Sequence, residues 1–247
     1  MKIIISPAKK MNENQDGFPI DGLPRFLQDA KQICEIIRSM SYDEAKALWK
    51  CNDKLTQLNV DRYANMDLER KLTPAILAYE GLQYQHMAPV VFTEKAASYV
   101  REHLCILSGF YGVLSPFDGV TPYRLEMQAA LSVSGHKDLY EFWGRRIYDA
   151  VLEEDRTIVN LASKEYSKVI ERHLSSEDTM ITVVFGELSD GKVRQKGTFA
   201  KMARGEMVRF LAEGEIVDLE KMKEFCVMGY EFSPVHSTAS DWVFLKG

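Results

Sequence analysis

Apolar residues along the chain change their spacing several times, and each change marks an element. Lys2–Ser6 places three isoleucines in succession, the β-branched run of a short strand. Leu104–Leu107, Thr157–Leu161 and Thr179–Phe185 read the same way, and strand-like runs at Phe225–Phe232 and Trp242–Leu245 close the chain. Between these runs the spacing becomes helical. Leu23-Pro24 opens a helix carrying Phe26, Leu27, Ala30, Ile33, Cys34 and Ile37 on one face. Ser41-Tyr42-Asp43-Glu44 has the form of a capping box and places a helix over about 42–51. Residues 73–87 read as helical, with Pro74 in the first turn and Gly81 as a break. Thr93-Glu94 starts a helix to about Glu102, after which His103 and Cys105 share one face of the next strand. Leu139–Leu152 reads as one amphipathic helix, and Phe199–Ala212 as another with Ala200, Ala203, Met207, Phe210 and Leu211 buried. Residues 11–23 read as a loop, and Asp190-Gly191 as a hairpin turn. No repeat or linker interrupts this irregular alternation. The expectation is α+β: one compact domain over 1–247 with a mixed sheet surrounded by helices.

The stretch Ile106–Met127, ILSGFYGVLSPFDGVTPYRLEM, breaks the pattern. Its three glycines permit tight turns or close backbone approach, and Pro116 and Pro122 stop any regular helix. It delivers Tyr123, Arg124 and Glu126 in an extended run behind Pro122. Lys9 and Lys10 follow the first strand, where ligand sites lie in α/β sheets; Lys10 reads as an ordinary surface lysine.

The net charge of −5 excludes a generally basic nucleic-acid coat, not a local basic patch. One such concentration exists: Lys192, Arg194, Lys196, Lys201, Arg204 and Arg209 face a single acid, Glu206. Lys201 and Arg204, three apart, can aim at one phosphate. Four scattered cysteines form no CxxC pair, which fits a reducing cytoplasm. The start turns polar too soon for a signal peptide, and no apolar run reaches the ~20 residues of a membrane span. No membrane partner, cofactor or metal is expected: GxGxxG, Walker, HExxH and GxSxG motifs are absent, and the five histidines are dispersed. Asp53–Tyr63 reads as two short helical segments, by themselves more an ordinary αα-hairpin than a helix-hairpin-helix-like element at about 42–66, since Gln57 stands in place of the hairpin glycine.

The motifs ISPAKK (Ile5–Lys10), DKL (Asp53–Leu55), AILAYEG (Ala75–Gly81), LSGFYGVLSPFD (Leu107–Asp118) and PYRLEM (Pro122–Met127) occur in order. LYEFW (Leu139–Trp143), NLASKEY (Asn160–Tyr166), AKMARGEMVRF (Ala200–Phe210) and GYEF (Gly229–Phe232) continue them over nearly the whole chain. In this combination the chain resembles the YaaA family of peroxide-stress-response proteins. The resemblance implies the cantaloupe fold, a positively charged cleft and a helix-hairpin-helix. It also implies a cytoplasmic location and sequence-independent binding of duplex or branched DNA. Its setting would be DNA repair and protection against hydrogen peroxide, with a lowering of free iron as one route.

Two classes of function follow. A DNA binder would use Lys9, Lys54, Arg62, Arg124, Lys201, Arg204 and Arg209 on phosphates. An enzyme acting on a nucleotide-like ligand would use the same cleft, with Glu126, Glu165, Tyr123 and Tyr166 as candidate catalytic groups. The glutamates favour giving the second class weight, since a passive DNA surface has little use for them. Lys9, Arg124, Lys201 and Arg204 are expected to converge on one cleft.

Overall fold

Every residue from Ile3 to Ile5 is fully buried. A strand buried on both faces belongs in the middle of a covered, parallel sheet. The computed structural model describes residues 1–13 and 17–247, and it places β1 (Lys2–Ile5) at that position. Residues 14–16 of the expected 11–23 loop lie outside the described residues. The other strands of the main sheet are β2 (Leu104–Ser108), β3 (Gly112–Leu114), β4 (Thr157–Leu161), β5 (Thr179–Ser189), β6 (Lys192–Arg194), β7 (Tyr230–Phe232) and β8 (Asp241–Lys246). Their order is β7-β8-β5-β4-β1-β2-β3, with β6 paired to β5. Strands β8, β5, β4, β1 and β2 run parallel, while β3, β6 and β7 pair antiparallel at the margins.

The mixed sheet flanked by helices is as expected, but the class is α/β rather than α+β. Parallel neighbours cannot be joined by tight hairpins, so each requires a crossover. The longer helices are α1 (Leu27–Arg38), α2 (Tyr42–Trp49), α3 (Asp53–Asn65), α4 (Leu82–Met87), α5 (Glu94–His103), α6 (Leu139–Trp143), α7 (Arg146–Val151), α8 (Lys164–Glu171) and α9 (Gly197–Glu213). Helix α5 packs on β1 and β2, and α9 packs on β5, α4 and α5. The buried apolar side chains form one continuous cluster.

Several local expectations change for identifiable reasons. The 139–152 helix is two helices, because Gly144 at φ 50° ends α6. Asp53–Asn65 is one helix rather than two segments, so Gln57 lies mid-helix and the turn of the αα-hairpin falls at Lys50–Asn52. Ser41 and Glu44 close the expected capping box, and Asn52 caps α3. Segment 73–87 splits, because Thr73–Pro74 and Tyr79–Glu80 pair as strands with Gly119–Val120 and Lys10–Met11. His103 ends α5 instead of sharing a strand face with Cys105. Of 225–232, only Tyr230–Phe232 forms a strand.

Candidate functional site

The sheet order creates a crevice. Strand β1 leads to β2 on one side of it, whereas the adjacent β4 leads to β5 on the other. Where neighbouring parallel strands diverge in this way, their carboxyl ends leave an opening between the outgoing chains, the usual ligand position in such sheets. Ser6 leaves β1 there, and Ser163 follows β4 as the N-cap of α8. The Ser163 N–H donates to Ser6 Oγ at 2.8 Å, and Ser6 Oγ lies 3.2 Å from Ser163 Oγ. A cavity of about 370 Å³ opens over this pair.

The Pro122–Met127 run enters the cavity from the side. Gly109 makes that approach possible, because a Cβ on it would sit 2.9 Å from Leu125 O and 3.0 Å from Met127 N. Tyr63 then donates its hydroxyl to Arg124 O at 3.3 Å. Tyr123 is buried, its hydroxyl 2.6 Å from Ser108 Oγ and 2.8 Å from Tyr79 OH. Burial pushes its pKa up to about 12, so it is a neutral hydrogen-bonding group.

A second close approach forms the opposite wall. Gly205 faces α4 so tightly that a Cβ there would lie 2.1 Å from Gln83 O. This contact brings Gln83 of α4 and Arg204 of α9 to the same cavity, together with Lys201. Thus Lys9, Arg124, Lys201 and Arg204 do line one cavity, along with Tyr123, Glu126, Glu165 and Tyr166. Gln83, Ser6 and Tyr84 join them without having stood out in the sequence. Only Ser6, directly beyond a strand end, carried a positional signal. Lys10 also lines the cavity, ion-paired with Glu80 at 2.6 Å.

Three other candidates lie elsewhere. Lys54 is exposed in the first turn of α3. Arg62 donates to Met11 O at 3.2 Å and is partly desolvated, which makes it a tie between α3 and the chain after β1. Arg209 pairs with Glu213 at 2.8 Å on α9.

The balance of charge in the cavity favours an anion. Five cations face three carboxylates: Lys9, Lys10, Arg124, Lys201 and Arg204 against Glu80, Glu126 and Glu165. Glu126 is held by Lys9 at 2.9 Å and, more loosely, by Arg124 at 3.6 Å. Lys201 and Arg204 have no carboxylate partner among the described residues. The Nε atoms of Arg204 and Arg124 and the Nε2 of Gln83 are buried donors with no acceptor. Desolvation lowers the Arg204 pKa, as expected of a cation without a counter-charge. Such donors are costly unless water or a ligand supplies oxygen atoms. Glu165 has the opposite perturbation: burial raises its pKa, and the Glu126 charge adds to the rise. Its Oε1 accepts the Gln128 N–H at 3.3 Å. Tyr166, beside it, is also driven well above its ordinary pKa by burial.

A cation-rich crevice at the divergence point of a parallel sheet defines the chain as an α/β protein with a positively charged cleft. Comparison of the sequence narrows this further. The family model described as Peroxide stress protein YaaA matches residues 1–236. A UPF0246 protein of Lachnoclostridium phytofermentans is 52% identical over 247 residues, covering 100% of this chain and 97% of the relative. UPF0246 proteins of Pediococcus pentosaceus and Ligilactobacillus salivarius are each 49% identical over 246 residues, covering 100% of this chain and 98% and 100% of theirs. The chain belongs to the YaaA family of peroxide stress proteins. Among the described residues, no helix is long and apolar enough to cross a membrane.

Proposed function

We propose that the cleft binds a phosphate-bearing, nucleotide-sized ligand and acts on it as part of the peroxide stress response. The observation that carries this reading is the set of buried donors without acceptors: Arg204 Nε, Arg124 Nε and Gln83 Nε2. A cavity of about 370 Å³ suits a small organic molecule. Its cations supply the anion contacts, and Leu82, Tyr84, Tyr123 and Tyr166 supply apolar and aromatic surface for the remainder. Glu165 is the proton carrier of choice, because its raised pKa brings a carboxyl closer to neutral pH. Glu126, tied between Lys9 and Arg124, orients those cations. The site is thus an enzyme site, and we place any lowering of free iron downstream of its chemistry.

Calorimetric titration with adenosine 5′-monophosphate in phosphate-free buffer tests the binding step. Arg204→Gln should weaken it at least tenfold, whereas Glu165→Gln should bind normally yet fail to protect cells from peroxide. Unchanged affinity in Arg204→Gln would refute the reading.

Sequence-independent DNA binding is the second reading. It is favoured by the exposed Lys54 on the αα-hairpin, which has no ion-pair partner among the described residues. It extends to a helix-hairpin-helix role for that hairpin, a cytoplasmic location and DNA repair. A duplex or branched probe should then bind with a steep salt dependence, reflecting several released counterions. A closed-pocket ligand should show a shallow one.

A further inference from the structure

The cleft continues past Arg124. A second cavity, of about 350 Å³, shares Lys9, Arg124 and Glu126 with the first. Its far wall is the end of α2, Trp49 and Lys50, together with Gln128. Two features mark that wall. Trp49 is only 4% exposed, and its indole N–H is buried without an acceptor. An indole nitrogen can only donate, and buried tryptophans ordinarily find a partner for it. The ring is fixed by stacking on Tyr63, with centroids 5.6 Å apart and 22° between planes. Lys50, the second feature, is an exposed lysine in the left-handed region at φ 46°, with no ion pair among the described residues. Lys9, Lys50 and Arg124 face one carboxylate, Glu126, so this cavity also carries an excess of positive charge.

We propose that the Trp49–Lys50 cavity is a second anion subsite, so that the ligand of the cleft carries two anionic groups with Arg124 between them. One group sits against Arg204, and the other against the Trp49 N–H and the Lys50 ammonium. The chemical class is a nucleotide with two phosphates, either adjacent as in a nucleoside diphosphate or separated by a nucleoside as in a 5′-phosphorylated dinucleotide. The proposal rests on the reading of the first cavity as an anion site.

The test is calorimetry in phosphate-free buffer with three probes: adenosine 5′-monophosphate, adenosine 5′-diphosphate and 5′-phosphorylated adenylyl-adenosine. At least one two-phosphate probe should bind about tenfold tighter than the monophosphate, the worth of one charge-assisted contact. Which of them does so reports whether the phosphates are adjacent or separated. Lys50→Gly removes the charge and suits the left-handed backbone, while Trp49→Phe keeps a ring for the stack and removes the N–H. Each should abolish the advantage and leave monophosphate affinity unchanged. If the monophosphate binds but neither two-phosphate probe gains, or if the gain survives in Lys50→Gly, the second subsite is refuted and the first stands. If the monophosphate itself does not bind, the first-cavity reading falls and the second subsite falls with it.

Discussion

Replacing Arg204 by methionine should make the unliganded protein more stable and the liganded protein less so. The guanidinium is largely desolvated beside the cavity, its Nε buried without an acceptor and no carboxylate partner among the described residues. An unsatisfied buried donor costs about 1–3 kcal/mol, and removing it together with its charge recovers part of that. Methionine has nearly the same length and helix propensity, so α9 itself is not weakened. A net gain of about 1–2 kcal/mol is expected. For a chain of this size 1 kcal/mol moves the melting temperature by about 2–4 °C, which predicts a rise of about 2–8 °C. Ligand reverses the order. At a concentration a hundredfold above Kd it stabilises wild type by about 2.7 kcal/mol, and Arg204→Met should lose most of that. Thermal melts of both proteins with and without adenosine 5′-monophosphate, in phosphate-free buffer, should therefore cross. An Arg204→Met protein that melts below wild type without ligand would show that the guanidinium has a stabilising role of its own. The argument from unsatisfied donors would then fail.

Two further perturbations probe the scaffold. Gly205→Ala gains about 1 kcal/mol of helix propensity but puts a Cβ 2.1 Å from Gln83 O. It should lose about 2 kcal/mol net by urea denaturation, whereas Gly197→Ala on the same helix, with no atom within 4 Å of the new Cβ, should lose nothing. Equal stability of the two variants would mean that α4 yields freely. Asp118 is raised by burial from 3.8 to about 7, with Asp21 adding to the rise. The folded form therefore holds its proton between these values while the unfolded chain has lost it, so this group's contribution falls as pH rises from about 4 to 7. The shift corresponds to at most about 4 kcal/mol. Asp118→Asn should accordingly be more stable than wild type at pH 8 and equal to it at pH 4, and a difference independent of pH would refute the assignment.

Much of the fold was legible because its signals are local. The isoleucine run of β1, the Thr157–Leu161 strand, the Ser41–Glu44 capping box and the Asp190-Gly191 turn each depend on a few adjacent residues. The errors arose where tertiary pairing decided. Thr73–Pro74 is a strand only because Gly119–Val120 lies beside it, and the class changed from α+β to α/β because strand direction depends on partners far along the chain. Gly144 was visible in the sequence, but a single glycine in a strongly amphipathic pattern is often tolerated.

The site divides along the same line. Lys9, Arg124, Lys201 and Arg204 were readable as a convergent group because each stands at a chemically conspicuous place: beyond a strand, after a proline, or on a basic helix face. Arg62 and Arg209 look identical to them by residue type. Only the folded chain distinguishes a guanidinium satisfied by Met11 O or Glu213 from one whose Nε is left without an acceptor. Gln83 and Trp49 were invisible for a related reason. An uncharged amide and an aromatic ring belong equally well in a core, and what singles them out is a missing partner. Gly205 sets how closely α4, which carries Gln83, approaches α9. The decisive information about this cleft is therefore a set of unsatisfied donors, and that is a property of packing between α4, α9 and the Pro122–Met127 run rather than of any one motif.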